Sequence, residues 1–516
     1  MSLVHGSSTG TRIHYRSEVK AIRINKYETL GTLLLLTAGA LLVMGYHPCA
    51  EDAEIYMPGV QKILHPELFP MGREFFLSHA RLTFFPNLIA LSLRVTHLPF
   101  DWGVFLWQVL SIFLLLAACW ELSGLLFPTA RARWAGVCLV AALLTIPVAG
   151  TALYIVDQYL NPRNLAAFAA VFAVVRTLEK KYLRSFLWIA FTACLHPLMW
   201  VFPFALCLLL AGIEKFEDRL QSGVTEKTVG AIAALLVFPG IPLAPVPSRA
   251  YQEVAKLHGY FYIQRWAWYE WLGAVAPLFL FWWFGRLARR REAACRERVC
   301  WAFVIYGAMF LSASLVVDLP VRFEVLARLQ PMRSLHLMYI VMFLVMGGFV
   351  GECVLQQHVW RWLLLFVPLS LGMFYAQRAL FPASAHLGLP GTTPKNPWAQ
   401  AFLWIRENTP VNALFALDPQ YSHIEGEDEV GFRCAALRSR LADWDKDNGA
   451  VSMFPQLGEE WWSQVQAQRG WKSFQLEDFL RLKNQYGVGW VVLQRPGVGG
   501  MDCPYSNAAV QVCKLP

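Results

Sequence analysis

Arg286-Leu-Ala-Arg-Arg-Arg-Glu-Ala-Ala-Cys-Arg-Glu-Arg298 sets six arginines between two apolar runs, 266–284 and 299–317. Each run is about as long as a helix needs to be to cross ~30 Å of hydrocarbon. A basic patch for nucleic acid would interleave aromatics on a folded surface. A short basic turn between two spans follows the positive-inside rule instead and marks a cytoplasmic loop. That reading makes the chain a polytopic membrane protein.

Composition agrees. The 516 residues are 56% hydrophobic and only 16% charged, with a mean hydropathy of +0.40. Soluble chains carry about 25% charged residues, so the deficit belongs to long uncharged stretches. Disorder, a coiled coil and a small disulfide scaffold are excluded. The net charge of +9 (45 Lys and Arg against 36 Asp and Glu) marks topology and does not imply a nucleic-acid partner.

Working outward, Arg12, Arg16, Lys20, Arg23 and Lys26 precede an apolar run at 30–46. They place the segment 1–27 in the cytoplasm and make the run an uncleaved first helix rather than a signal peptide. Spans are expected at 30–46, 103–126, 134–150, 165–178, 185–197, 198–213, 229–245, 267–285, 299–317, 335–355 and 360–380. This all-α polytopic domain of about 11 transmembrane helices occupies 28–381. Its parity keeps Arg131, Arg133, the 179–184 segment and the 214–219 segment with the basic loop. Residues 83–97 read as a helix lying in the interface, and His196-Pro197 breaks a long apolar run into a hairpin.

Two polar regions fall on the opposite, extracytoplasmic side: a first outer loop at 47–82 and a tail after a Gly/Pro/Thr linker at 382–396. The tail, 397–516, reads as a small α/β domain, with helices at 397–408 and 476–485 and strands at 413–417 and 488–493. Of its cysteines, Cys434, Cys503 and Cys513, the pair Cys503–Cys513 is the first choice for a disulfide. No metal-ligand spacing occurs.

The scarce outer charges suggest chemistry. Glu51-Asp52-Ala-Glu54 follows the first span. A carboxylate there suits a base acting on a hydroxyl, and its structural alternative is a helix N-terminus, where acids favour the dipole. Asp157 and Arg163 in Asp157-Gln-Tyr-Leu-Asn-Pro-Arg163 read as a second acid and a phosphate-binding fork, or as an ion pair closing a loop. Arg322 and Arg333 lie beside the membrane, where a lipid phosphate or a headgroup would sit. His196 is a further candidate, with hydrogen bonding to a neighbouring helix as its plainer role.

A basic N-terminus, one span and a first outer loop opening on Glu51-Asp52 resemble the GT-C class of polytopic glycosyltransferases, which includes protein O-mannosyltransferases and lipid A aminoarabinose transferases. The segments Trp398…Trp404-Ile-Arg-Glu-Asn-Thr-Pro410 and Phe432-Arg…Arg438-Ser-Arg440 look like the tails of uncharacterised bacterial members. The resemblance implies transfer of a sugar from a polyprenyl-phosphate carrier to an extracytoplasmic acceptor hydroxyl at the plasma (inner) membrane. It implies Asp52, with Glu51, as the catalytic acid motif and Asp157 as the second acid. Arg163, Arg322 and Arg333 are then expected at the lipid phosphate. Some members use a divalent cation and others none, so Mg or Mn on Asp52 and Asp157 stays open. Two other readings also stay open: a transporter or flippase for a lipid-linked or anionic solute, and a non-catalytic assembly protein.

Overall fold

The computed structural model describes residues 26–221, 253–254, 257–317 and 327–516. The expected span at 229–245, the candidate Arg322 and the basic residues before Lys26 lie outside the described residues. Helix α1 (Lys26–Met44) leads into a loop bearing the short helices α2 (Ala53–Leu64), α3 (Glu74–Leu82) and α4 (Phe85–Thr96). The helical body continues with α5 (Phe100–Leu126), α6 (Ala130–Ala142), α7 (Pro162–Leu178), α8 (Tyr182–Leu195) and α9 (Val201–Gln221). It closes with α10 (Trp268–Arg290), α11 (Ala294–Val317), α12 (Leu335–Val350) and α13 (Val359–Leu380).

Six of the described segments are long and apolar enough to cross a membrane: α1, α5, α10, α11, Pro331–Leu355 around α12, and α13. The protein is a multi-pass membrane protein, and these six coincide with six of the eleven expected spans. The rest of the helical body is shorter or more polar. Helices α8 and α9 are separate, meeting at His196-Pro197 as the proline requires. Helix α4 has only 12 residues, too few to cross, and leaves Leu91 and Val95 exposed, as an interfacial helix does.

The run at 134–150 departs from expectation. Helix α6 stops at Ala142, and 143–161 continues as irregular chain. Such backbone survives at membrane depth only inside protein, with its polar groups satisfied. Here Val156 donates to the Leu144 carbonyl and Val148 to that of Leu153, while His336 bonds the Ile155 carbonyl at 3.0 Å.

Packing of the body depends on small residues. Helices α6 and α12 touch along a glycine seam: a Cβ at Gly347 would stand 2.6 Å from the Ala135 carbonyl oxygen, and one at Gly136 would stand 2.6 Å from that of Leu344. In lipid, where apolar side chains gain little by leaving the solvent, close backbone approach supplies the helix–helix attraction. Helix α7, with its Ala-rich sequence, is buried almost throughout.

Charged residues of several turns meet at one end of the bundle. Arg298 lies 3.4 Å and Lys180 2.7 Å from Glu214, and Arg296 lies 3.2 Å from Glu352. At the other end sits a small C-terminal sheet domain, comprising α14 (Pro397–Asn408), β1 (Leu414–Ala416), α15 (Phe432–Ala436), β2 (Ser439–Arg440), α16 (Lys446–Met453), α17 (Gly458–Ala467), α18 (Leu476–Tyr486), β3 (Trp490–Gln494), β4 (Asp502–Ser506) and β5 (Val510–Lys514). The sheet order is β2-β1-β3-β5-β4, with β1 parallel to both neighbours and β5 antiparallel to β3 and β4. Alternation along β3 sends Val492 to one core with Trp398 and Phe402, and Val491 and Leu493 to another with Phe479 and Leu482. Cys503–Cys513 is bonded across the β4–β5 hairpin. A second disulfide, Cys49–Cys434, joins the first loop to this domain across 385 residues, a pairing that no local spacing announces.

Candidate active site

The acid motif sits where the first loop meets the sheet domain. Cys49, Glu51 and their neighbours run against 429–431: the Gly431 N–H donates to the Cys49 carbonyl at 2.7 Å and the Glu51 N–H to the Glu429 carbonyl at 3.0 Å. Glu51, Asp428 and Glu429 all adopt left-handed backbone, at φ of 55°, 58° and 53°. Non-glycine residues in that region carry strain that the surroundings must over-determine, and such strain gathers at functional sites.

Asp52 is the N-cap of α2, yet its carboxylate makes no capping hydrogen bond. It accepts instead from Arg163 Nη1 at 2.9 Å. The position of a cap is kept, and the side chain is aimed elsewhere. Burial pushes the Asp52 carboxyl up, but Arg163 and then Lys446 outweigh it and hold it at about 2.

Arg163 owes its place to local sequence. Asn161 caps α7, accepting from the Asn164 N–H at 3.1 Å, with Pro162 at the first helical position. The Asn161 amide also donates to Asp157 Oδ2 at 2.6 Å, and Arg163 Nη2 and Nε reach the same oxygen at 3.1 and 3.3 Å. Gln108 of α5 holds the Asp157 carbonyl at 2.8 Å. Burial is the main influence on the Asp157 carboxyl and raises it, against the pull of Arg163. Asp52 and Asp157, more than a hundred residues apart, therefore share one buried guanidinium, which is 6% exposed. The donors of Arg163 are engaged by these acids.

Arg333 differs. It sits in the 3₁₀ turn Pro331–Ser334 leading into α12 and makes no ion pair among the described residues; its buried Nε has no hydrogen-bond partner. Its charge acts on Asp52 and on His196. His196 belongs to the same neighbourhood, within electrostatic reach of Arg333, Arg163 and His79. The Nδ1 atoms of both histidines are buried without a partner. Buried polar atoms are nearly always satisfied, so Arg333 Nε and these two Nδ1 atoms are exceptions.

Glu54 faces away. Fully buried, it accepts from Arg440 Nη2 and Nε at 3.0 and 3.1 Å and from the Cys434 N–H at 3.0 Å. Arg433 forks onto Asp447 at 2.7 and 2.9 Å behind it. This network docks the loop on the sheet domain. Removing one member of a buried charged set costs about 3–5 kcal/mol.

Sequence reasoning missed two residues from the sheet domain. Lys446 Nζ lies 3.0 Å from Glu51, 3.4 Å from Glu429 and 3.9 Å from Asp52. Burial, and then the Glu51 charge, lift the Glu429 carboxyl from 4.5 to about 7, with Lys446 opposing. Neither residue sits in a motif; one signal available was a basic residue amid acids at 443–447. His79 was likewise missed, and its ring is held at about 4, chiefly by burial.

The Asp52–Asp157 pair does not fit a divalent cation. Arg163 stands between the two carboxylates, and no group of three His, Cys, Asp or Glu converges as a metal site among the described residues.

No family model and no curated protein matches the chain. It is similar in structure to an archaeal oligosaccharyltransferase. The apo crystal structure of the Archaeoglobus fulgidus oligosaccharyltransferase matches over 91% of this chain and 70% of that one, with a TM-score of 0.40 and 12% sequence identity.

Proposed function

We propose that this protein is a GT-C-type membrane glycosyltransferase that moves a sugar from a polyprenyl-phosphate carrier to an acceptor hydroxyl, with its sheet domain outside the cytoplasm. The observation that carries the reading is the meeting of Asp52, Asp157 and Arg163 beside the uncommitted Arg333. An inverting transfer needs a carboxylate on the acceptor side and a cation for the departing phosphate, whose charge grows in the transition state.

In this mechanism Asp52 stays ionised and accepts the hydrogen bond of the acceptor hydroxyl. As that oxygen bonds to the anomeric carbon its proton becomes strongly acidic, and Asp52 takes it despite a low proton affinity. The bond from the sugar to the carrier's phosphate oxygen breaks on the opposite face, and the electron pair stays with the phosphate. Arg333 receives that charge. Arg163 positions Asp52 and Asp157, and His196 lines the same surface. Glu51, tied to Lys446, orients the loop.

The test is Asp52→Asn in membranes supplied with polyprenyl-phosphate-linked sugars. Transfer is expected to fall at least about 100-fold, the lower range for a positioned acid–base group, with the melting temperature followed as a check on folding. Full transfer by a folded D52N protein would sink the proposal.

A further inference from the structure

A polar cavity, of about 330 Å³, lies at the far end of the bundle from the acids. Arg131, Arg291, Arg296, Glu352, Thr129 and Gln356 are among its lining residues. They come from three places: the start of α6, the α10–α11 turn with the first residues of α11, and the chain following α12.

The convergence is built. Gly351 opens a π-helical turn, Gly351–Leu355, and a Cβ there would stand 2.7 Å from the Ala135 Cβ and 3.1 Å from the Arg131 carbonyl oxygen. Only glycine lets the start of α6 approach so closely, which brings Arg131 beside Glu352. π-Helical turns often mark functional sites, and here Gln356 follows with left-handed backbone at φ 47°. Arg296 is 3% exposed. It lies over the Phe127 ring at 4.2 Å, donates Nε to the Leu126 carbonyl at 3.0 Å, and reaches Glu352 at 3.2 Å. Arg291 reaches the same glutamate at 2.8 Å. Arg131 pairs with no acid among the described residues.

Three arginines therefore face one carboxylate, which leaves two positive charges over at a cavity between membrane helices. We propose that this cavity is a binding site for a phosphate group, presented by an anionic lipid headgroup or by free phosphate. The guanidinium fork matches phosphate oxygens in bidentate fashion. Basic pockets between membrane helices at a cytoplasmic face recognise lipid phosphates in this way, and Glu352 keeps Arg291 and Arg296 oriented. The site is independent of the acids at the opposite end and of the reaction assigned to them.

The experiment measures melting temperature of the full chain in detergent. The additions are phosphatidylglycerol, phosphatidylcholine, inorganic phosphate, and sodium chloride at matched ionic strength. Arg131→Gln is compared with the double variant Arg131→Gln/Arg291→Gln. Arg131 is exposed and makes no ion pair among the described residues, so its replacement leaves the ion pairs described above intact. Phosphatidylglycerol is expected to raise the melting temperature of the unaltered protein beyond phosphatidylcholine, with the apparent Kd about tenfold weaker in R131Q, as loss of one charged contact predicts. A variant-sensitive rise with inorganic phosphate but none specific to phosphatidylglycerol also supports the site and assigns free phosphate as the source. No rise with either, or a rise that both variants keep, overturns it.

Discussion

Lys446 shows how a single side chain sets the character of the acid loop. Its ammonium is shared by Glu51, Glu429 and Asp52, and it holds the last two carboxyls lower than burial alone would leave them. The two acids respond to pH with opposite signs. Asp52, lowered from 3.8 to about 2, adds stability that is present above 3.8 and lost as pH falls towards 2. Glu429, raised from 4.5 to about 7, keeps a proton that the unfolded chain gives up. Its contribution is therefore fully present below 4.5 and lost as pH rises through about 7. The melting temperature of Glu429→Gln minus that of the unaltered protein should grow from pH 4.5 to about 7 and then level off. In a Lys446→Met background the growth should continue above pH 7, because the opposing charge is gone. A difference that stays flat with pH in both backgrounds would show that Glu429 does not titrate in this window.

At the scale of elements, the glycine seam between α6 and α12 decides how closely the bundle closes. Gly347→Val forces branched carbons against the Ala135 carbonyl and Gly136 Cα, which would lie 2.6 and 2.8 Å from the new Cβ. Overpacking of this kind costs about 1–3 kcal/mol. Gly372 on α13 has nothing within 4 Å of its Cβ position, so Gly372→Val is the matched control. A melting temperature lowered in G347V and unchanged in G372V is expected; equal behaviour would deny the seam its role. Elements also show what was legible from sequence. Runs such as 103–126 and 360–380 declare themselves because lipid demands uninterrupted apolar length, and the residues that face lipid, such as Leu363 and Leu364, are exposed. The run at 134–150 misled because its apolar chain after Ala142 is buried by protein rather than lipid, where irregular backbone is allowed. Strand β4 was hidden by Pro504, which interrupts the alternation that marks a strand. Asp52 and Asp157 were visible as scarce charges beside apolar runs. Lys446 and Glu429 were not, because only tertiary docking brings a sheet domain to a loop nearly four hundred residues earlier.

For the whole molecule, that docking brings the sheet domain against the acid loop of the helical body. The Cys49–Cys434 bridge, the Glu54–Arg440 pair and the 49–51 to 429–431 backbone contacts all act within a few residues of Asp52. The two disulfides then have different expected weights. Chain-entropy reasoning gives more stability to the bridge that closes the longer loop, and Cys49–Cys434 spans 385 residues against 10 for Cys503–Cys513. Cys49→Ser/Cys434→Ser should therefore lower the melting temperature more than Cys503→Ser/Cys513→Ser. It should also reduce sugar transfer, since the loop that carries Asp52 loses its covalent hold beside Lys446. The hairpin bridge lies at the sheet edge, far from the acids, and its removal should leave transfer near its original level once folding is matched. Measuring both quantities on both double variants separates the roles. If the two pairs lower transfer equally at matched folding, the sheet domain contributes stability alone and does not set the geometry of the acid loop.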